Sequence, residues 1–518
     1  MRKTSRIALA IVSFLLAIVF LPAALHGQKG KSKPAKDPAA ELTQLVEGSF
    51  NTFKPAGLSV AVVKDGQVVL AKGWGTANAS NGTPVTGGSL FNIASCSKAF
   101  TAAAIALLVE EGKLRWDDKV VNHLPGFQMS DPYITSQLTV RDLLCHRSGL
   151  GTFDGDLLWY GTNYSDEEII AHLRYLPIRQ EFRSEFGYQN NLYTAAGMII
   201  QKITGKTWSQ FINDRFFAPL GMKSSYPSND ELPQGAPVAM GHLEGKVQPM
   251  YDYEGGKPAA GIYSSVDDLT HWVRMWLDGG KWEGKQILDP KSIRTLLSGM
   301  TPIGVSPVWE GWGVHFRQYA LGWTMYDYAG HKVAEHSGGM PGYISKVVLV
   351  PEAGLGIIAL NNGNDGSVDD AVRFKVMDYY LGGGKQDWDK LMKGFADQGD
   401  AYLKQETATR EASRVPGTSP SLALAAYAGT YFDKTYGETK VELQGDKLFF
   451  TMVPTKALFN GEMEHFHYNT WKVQFKDPYL PFALVTFDLN PKAAVTGFKI
   501  DLPNGDFHFY QLDFKKKA

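Results

Sequence analysis

Apolar residues follow different patterns in different parts of the chain. Residues 58–63 and 68–72 are rich in β-branched side chains and flank Asp65-Gly66, a turn pair typical of β-hairpins. Residues 347–350 and 356–360 form a second pair of apolar runs of strand length. The pattern therefore predicts paired strands near both ends of the first 384 residues.

The part of the chain between these strands carries helical signals. Residues 97–111 are rich in Ala and Leu and almost apolar all round, with Gly112 as a C-cap, which predicts a buried helix. Ser265 stands three residues before Asp268, in the spacing of a capping box that opens an amphipathic helix. Strands at both ends with helices between them predict an α/β (α+β) fold, in which helices flank an antiparallel sheet and a helical subdomain is inserted.

The pattern changes after Gly384, which ends a first domain predicted over residues 40–384. Residues 385–424 are predicted as a helical and linker segment, polar at first and then rich in Pro and Gly. Apolar residues alternate with polar ones beyond it, and Asn504-Gly505 marks a hairpin. We therefore predict a small all-β barrel over residues 425–518 that folds as a separate unit.

The N-terminus has the layout of a secretory signal peptide. Basic residues at positions 2, 3 and 6 precede an apolar run over residues 7–21. Residues 1–27 are predicted as the signal peptide and residues 28–39 as a basic tether, so the protein is expected to be exported and either periplasmic or secreted. The alternative is an uncleaved segment that tethers the protein to a membrane.

Composition limits the classes of partner and cofactor. A formal net charge of −1 excludes nucleic acid as the main partner, which requires a basic surface. The two cysteines, Cys96 and Cys145, are too few for a disulfide framework and are expected to be free buried thiols. His465 and His467 would bind a metal only with a third ligand, and a strand-surface pair is favoured. No metal or organic cofactor is predicted.

Ser95 and Lys98 are the first candidate pair for chemistry, at the start of the predicted buried helix. A serine hydroxyl becomes a nucleophile when a neighbour takes its proton. Residues three apart share one helical face, and burial lowers the pKa of a lysine enough to make it a base. The alternative is an ordinary helix start with a surface lysine, and the apolar surroundings count against it.

Two further segments offer polar groups to such a site. Tyr188 and Asn190 are two residues apart, so an extended backbone would point both side chains the same way. His336 offers a hydrogen-bond donor, and Gly338 and Gly339 allow a close approach of backbone to a substrate carbonyl. A backbone N–H of Gly339 facing that of Ser95 would form an oxyanion hole. The alternatives are a structural Tyr and a turn Asn, and a glycine-rich turn with an exposed His.

The order Ser-x-x-Lys, Tyr-x-Asn and His-x-Gly resembles the serine β-lactamase-like family, which includes class C β-lactamases, D-alanyl-D-alanine carboxypeptidases, D-aminopeptidases and related esterases. The resemblance covers residues 45–380 and includes segments 58–63, 138–150, 261–265 and 319–323. Gln189 stands where many members carry a small residue, which predicts a narrower site. The C-terminal segment resembles a lipocalin-like barrel appended to some members.

The resemblance implies Ser95 as the nucleophile, Lys98 and Tyr188 as its proton-handling partners, and Asn190 as a substrate contact. It implies hydrolysis of an amide or ester, such as a D-amino-acid peptide, a peptidoglycan-type peptide or a small ester, through an acyl-enzyme. His336 stands where true β-lactamases carry lysine, so efficient β-lactam hydrolysis is not expected. A non-catalytic penicillin-binding or sensor protein and a genuine β-lactamase are the alternatives. The expected partner is a small-molecule or peptide substrate, and the oligomeric state stays open.

Overall fold

A computed structural model describes residues 37–250, 254–384 and 386–517. The predicted signal peptide and most of the predicted tether lie outside the described residues. The first helix, α1, begins at Pro38 and ends at Phe53, so the last two residues of the predicted tether are helical. Within the described ranges, no helix combines the length and the apolar character needed to cross a membrane.

The first domain is built on a nine-stranded antiparallel sheet. Its strands are β1 Gly57–Lys64, β2 Gln67–Asn78, β3 Thr83–Pro84, β4 Thr301–Ile303, β5 Arg317–Tyr319, β6 Thr324–Tyr328, β7 His331–Met340, β8 Tyr343–Val350 and β9 Leu355–Asn361. Their order across the sheet is β4-β5-β6-β7-β8-β9-β1-β2-β3, so strands from the two ends of the domain meet where β9 pairs with β1. This confirms the predicted strand pairs and the antiparallel sheet.

Helices cover both faces of the sheet, which explains why the central strands are continuous apolar runs. The longer ones are α1, α2 Ser97–Glu110, α3 Asn191–Thr204, α4 Val266–Leu277, α5 Ser367–Leu381 and α6 Trp388–Ala412. Val60 and Val62 of β1 pack in one core with α1, α5 and α6, whereas Ala61 and Val63 pack in the other core with α2, α3 and α4. Shorter helices include Pro132–Gln137, Asp166–His172, Trp208–Ile212, Lys257–Ala260 and Pro290–Leu296.

The predicted C-terminal barrel is confirmed as a closed antiparallel barrel of eight strands. They are β10 Gly429–Asp433, β11 Gly437–Gln444, β12 Lys447–Met452, β13 Asn460–His467, β14 Thr470–Val473, β15 Ala483–Leu489, β16 Val495–Asp501 and β17 Phe514–Lys516. The strands on either side of Asn504-Gly505 pair antiparallel, as the predicted hairpin requires. These residues belong to a longer connection between β16 and β17, which contains the helical turn Phe509–Gln511.

The helix α6 and a set of buried contacts join the two domains. Trp388, near the start of α6, stacks on Phe374 of α5 with ring centroids 4.1 Å apart. Arg410, near the end of α6, forms an ion pair with Asp501 of the barrel at 2.9 Å. Residues 38–518 form one compact unit, so the barrel packs on the first domain rather than standing apart from it.

The cysteines and the histidine pair have structural surroundings. Cys96 and Cys145 are free thiols, and burial raises the pKa of each to about 12. A bulge separates His465 from His467, so the two do not lie in regular register on one strand face. Among the described residues, no group of three or more metal-ligating side chains is present.

Candidate active site

Ser95 lies in the short helical turn Ala94–Cys96 that leads into α2. The preceding residue, Ala94, has a φ of +45°, which is a strained conformation for a residue with a Cβ. The side chain of Asn92 supports it by accepting a hydrogen bond from the Ala94 N–H at 2.7 Å. This sharp entry leaves Ser95 partly exposed in a cleft, while the rest of the turn is buried.

Lys98 is fully buried one turn further along α2. Its Nζ lies 2.9 Å from Ser95 Oγ, 2.6 Å from Asn190 Oδ1 and 3.1 Å from the carbonyl oxygen of Ala259. Burial lowers the pKa of Lys98 to about 7, so the neutral amine is well populated at neutral pH. Ser95, Lys98 and Asn190, which the sequence singled out, are therefore together in the structure.

The hydrogen-bond partners of Lys98 decide where the lone pair of its neutral amine points. Asn190 Oδ1 and the Ala259 carbonyl only accept hydrogen bonds, so they occupy both N–H bonds of the amine. In this neutral form the lone pair is left to face Ser95 Oγ, 2.9 Å away, and can accept a hydrogen bond from the hydroxyl, whereas the protonated amine donates to Oγ. This geometry is that of a base placed to take the serine proton.

Asp156 fixes the orientation of Asn190. Its Oδ2 accepts a hydrogen bond from Asn190 Nδ2 at 2.6 Å, which turns the amide oxygen towards Lys98. Asp156 is buried, and burial raises its pKa to about 7. Asp156 was not predicted as a site residue, because no pattern in the residues around it indicates that the helical turn Asp156–Leu158 lies close to Lys98.

The ring of Tyr188 faces the Nζ of Lys98. Its ring centroid is 4.9 Å from Lys98 Nζ and 4.1 Å from the ring of His146. Burial raises its pKa, and a hydrogen bond with Ser95 only partly offsets the rise, so Tyr188 is a neutral phenol at neutral pH. Gln189 is fully buried and donates to the carbonyl oxygen of Gly151, so the prediction that it narrows the site was wrong.

His336 is buried on β7, and both of its ring nitrogens have partners inside the protein. Nε2 lies 2.7 Å from the hydroxyl of Tyr319, and Nδ1 lies 2.6 Å from the carbonyl oxygen of Ser337. A carbonyl oxygen only accepts, so Nδ1 carries the proton and Nε2 accepts from Tyr319. Burial lowers the pKa of His336 to about 3, which leaves the ring uncharged. Neither nitrogen is free to donate to a substrate in this arrangement.

The glycines of β7 bring its backbone against Ser95. β7 pairs with β6 only as far as Glu335. From His336 to Met340, the edge of β7 that faces away from β8 therefore makes no strand pairing with β6. A Cβ on Gly338 would lie 2.5 Å from the carbonyl oxygen of Ile93 and 2.8 Å from the Ser95 nitrogen. Only glycine fits there, whereas Gly339 is exposed beside the cleft.

The cleft that contains Ser95 has a volume of about 1440 Å³. Ser95, Tyr188 and His336 line its inner part, with the aromatic side chains of Phe153 and Trp159 beside them. The outer walls come from α6 and from two barrel loops at residues 478–482 and 503–507. The second domain therefore contributes directly to the surface that a bound molecule would meet.

Other residues near the site were present in the sequence but were given no role. Tyr319, which contacts His336, lies in segment 319–323, one of the segments that support the family resemblance. His146 lies in segment 138–150, which also supports the resemblance. It packs against Tyr188 and accepts a hydrogen bond from the Gln189 N–H at 3.0 Å. Both are aromatic side chains with a polar atom, and both lie in segments that support the family resemblance. These two features could have identified them as candidates.

Comparison with known proteins gives two family matches along the chain. The model of a family described as Beta-lactamase matches residues 46–381, and that of a domain of unknown function, DUF3471, matches residues 413–516. The unguisins hydrolase of Aspergillus campestris is 27% identical over 434 residues, covering 79% of each chain. Penicillin-binding protein 4 of Amycolatopsis lactamdurans is 29% identical over 324 residues, covering 59% of this chain and 81% of its own.

A solved structure is similar in fold over most of the chain. The octameric penicillin-binding protein homologue from Pyrococcus abyssi is 22% identical, with a TM-score of 0.60. The match covers 92% of this chain and 100% of the other, so it extends beyond the first domain. At this identity the similarity shows the fold alone.

Proposed function

The chain belongs to the beta-lactamase family, and we propose that it is a serine hydrolase that forms an acyl-enzyme on Ser95. The observation that carries the proposal is the contact of 2.9 Å between Ser95 Oγ and Lys98 Nζ, with both N–H bonds of the neutral amine occupied elsewhere. A protein that only binds its ligand has no use for a buried lysine whose pKa is lowered to about 7.

Acylation begins when Lys98 takes the proton of Ser95. The serine oxygen attacks the substrate carbonyl carbon, and the backbone N–H groups of Ser95 and Gly339 stabilise the negative charge that develops on the carbonyl oxygen. The neutral phenol of Tyr188 donates a proton to the departing amine or alcohol and regains one from Lys98. The bond to the leaving group breaks, and the acyl group stays on Ser95 as an ester.

Deacylation uses the same groups in the reverse direction. A water molecule replaces the leaving group, and the proton it loses on attack passes through Tyr188 to neutral Lys98. The bond between the acyl carbon and Ser95 Oγ breaks, and Lys98 returns a proton to the serine oxygen. The products are a carboxylic acid and the free enzyme, with no cofactor needed for the balance of atoms and charges.

The proposed substrate is an amide or ester, with a D-amino-acid peptide, a peptidoglycan-type peptide or a small ester as the candidate classes. The relative named as an unguisins hydrolase supports a hydrolytic reaction. The uncharged His336 supports the view that carboxylate-bearing β-lactams are poor substrates. We also propose that the protein is exported and acts in the periplasm or outside the cell, on the basis of residues 1–27.

The test is intact-mass analysis after incubation with a fluorophosphonate probe, followed by assays on D-peptides, nitrophenyl esters and cephalosporins. The wild type is expected to gain the mass of one phosphonyl group from the probe, with HF released, and the Ser95→Ala protein is expected to gain none. Turnover should fall by several orders of magnitude in that variant while its Tm is retained. Labelling of Ser95→Ala to the same extent as the wild type would place the nucleophile elsewhere.

A further inference from the structure

The barrel holds one loop of the first domain by a buried carboxylate. Asp154 lies in the loop at residues 151–156 and is 1% exposed. Its Oδ1 accepts a hydrogen bond from Gln511 Nε2 of the barrel at 2.6 Å and lies 3.1 Å from Nδ1 of His508. Its Oδ2 accepts from the backbone N–H of Gly151 at 2.9 Å, so the same side chain closes the loop on itself.

This loop has a strained backbone that needs such anchors. Phe153 has a φ of +61°, which is costly for a bulky residue, and Gly155 has a φ of +84°. A backbone of this kind persists only where surrounding contacts hold it. Besides Asp154, the contacts include a hydrogen bond from Asn191 Nδ2 to the carbonyl oxygen of Gly155 at 3.0 Å.

The loop touches two parts of the catalytic site. The N–H of Phe153 donates to the carbonyl oxygen of Tyr188 at 2.8 Å. Asp156, at the end of the loop, accepts from Asn190, which in turn contacts Lys98. A displacement of the loop would therefore move the phenol and the amide that surround Lys98.

We propose that Gln511 and His508 of the barrel are positioning residues for the reaction at Ser95, acting through Asp154 and its loop. The barrel then supports the reaction at Ser95, although its residues lie far in sequence from the three motifs. The contact runs from Gln511 to Asp154, along the loop to Asp156 and then to Asn190 and Lys98. This role rests on the proposed acylation of Ser95 and adds to it a requirement for the second domain.

The test is the second-order rate of Ser95 labelling by a fluorophosphonate, measured on the full chain. Gln511→Glu keeps the shape of the side chain but replaces the donor by a second carboxylate facing Asp154. A hydrogen bond to a charged group is lost and a repulsion is added, so the labelling rate should fall roughly ten-fold. The double variant Asp154→Asn with Gln511→Glu reverses donor and acceptor and should restore most of the rate.

A double-mutant cycle shows whether Gln511 acts through Asp154. Gln511→Ala should slow labelling in the wild type but cause little further loss in the Asp154→Ala background, where residue 154 offers Gln511 no side-chain partner. Lys499→Ala, on an exposed position of β16 in the barrel, is the control and should label at the wild-type rate. Each variant is checked for an unchanged Tm before rates are compared.

The outcomes separate this role from the proposed function. Equal rates for Gln511→Glu and wild type, or no recovery in the exchanged pair, would overturn the positioning role while leaving Ser95 as the nucleophile. A full Gln511→Ala effect in the Asp154→Ala background would overturn it as well. A wild-type chain that the probe does not label at Ser95 would overturn both.

Discussion

The side-chain amide of Asn190 donates to the buried carboxylate of Asp156 over 2.6 Å, and this contact sets which end of the amide meets Lys98. With Nδ2 engaged by the carboxylate, Oδ1 faces Nζ at 2.6 Å and removes one N–H from the set available to Ser95. In the proposed mechanism, the direction of proton transfer thus depends on an acidic residue that contacts neither Ser95 nor Lys98 by a hydrogen bond. Asp156 belongs to the site as much as the residues of the three motifs.

The charge of Asp156 influences the pH at which the site becomes active. Its negative charge raises the pKa of Lys98 against the larger lowering by burial. Asp156→Asn removes the charge while keeping an oxygen that accepts from Asn190, so the pKa of Lys98 should fall below about 7. The acid limb of kcat/KM for a neutral nitrophenyl ester should move to lower pH. Asp446→Asn, at an exposed barrel turn, should leave the limb in place, and a limb that moved to higher pH in Asp156→Asn would contradict the account.

Tyr188 is expected to act through its hydroxyl rather than through its ring. Tyr188→Phe keeps the packing of the ring against His146 at 4.1 Å and removes only the proton-transfer group. We expect kcat for a nitrophenyl ester to fall by about 10²- to 10⁴-fold at an unchanged Tm. Tyr468→Phe, on an exposed barrel side chain, is the control. Wild-type kcat in Tyr188→Phe would remove Tyr188 from the mechanism.

The close approach of β7 to Ser95 predicts different effects at two neighbouring glycines. Gly338→Ala places a Cβ 2.8 Å from the Ser95 nitrogen and should push the strand away, lowering activity and costing ~1–3 kcal/mol of stability. Gly339→Ala meets only Ile344 Cδ1 at 3.6 Å and keeps its N–H, so it should fold and retain activity. The measurements are Tm and kcat/KM on both variants. Equal losses at the two positions would argue against a steric contact at Gly338.

His336 predicts the balance between charged and uncharged substrates. Because its pKa is lowered to about 3, it offers no positive charge to a carboxylate at neutral pH, and cephalosporin turnover should be weak beside ester hydrolysis. His336→Lys should shift the ratio of kcat/KM towards the cephalosporin by roughly ten- to hundred-fold. His315→Lys, whose position is 79% exposed, should leave the ratio unchanged. A wild type as fast on cephalosporins as a dedicated β-lactamase would refute this reading.

The sequence predicted the fold well where short-range patterns decide it. The apolar runs of β1, β8 and β9 and the buried helix α2 follow from periodicity and turn residues alone. The antiparallel pairing around Asn504-Gly505 was predicted, but the length of the connection was not, because a turn dipeptide does not reveal how many residues separate the paired strands. The packing of the barrel on the first domain rests on side chains such as Tyr160 and Asp477, 2.8 Å apart, whose proximity no local pattern encodes.

The site was predictable to the extent that its residues lie in motifs. Ser95 and Lys98 meet within hydrogen-bond distance because one helical turn separates them, and Asn190 reaches Lys98 from the start of α3 rather than from the extended segment that its spacing from Tyr188 predicted. Asp154 and Asp156 lie in a segment whose shape is set by tertiary contacts. Their residue type and spacing therefore did not predict a role at the site. The Nε2 atom of His336 is hydrogen-bonded to Tyr319, which is seventeen residues away in sequence, so only the folded chain brings the two side chains together.

The pH dependence of Ser95 labelling by an uncharged fluorophosphonate shows whether Lys98 acts as the base, because the probe has no group that titrates and any change in rate comes from the enzyme. If neutral Lys98 takes the serine proton, the second-order rate should rise with pH through an apparent pKa of about 7 and then level off. Lys98→Arg, which keeps a positive charge but cannot lose it, should label at least a thousand-fold more slowly at the plateau. A wild-type rate independent of pH, or one that rises only near the ordinary lysine pKa of ~10.4, would contradict the account.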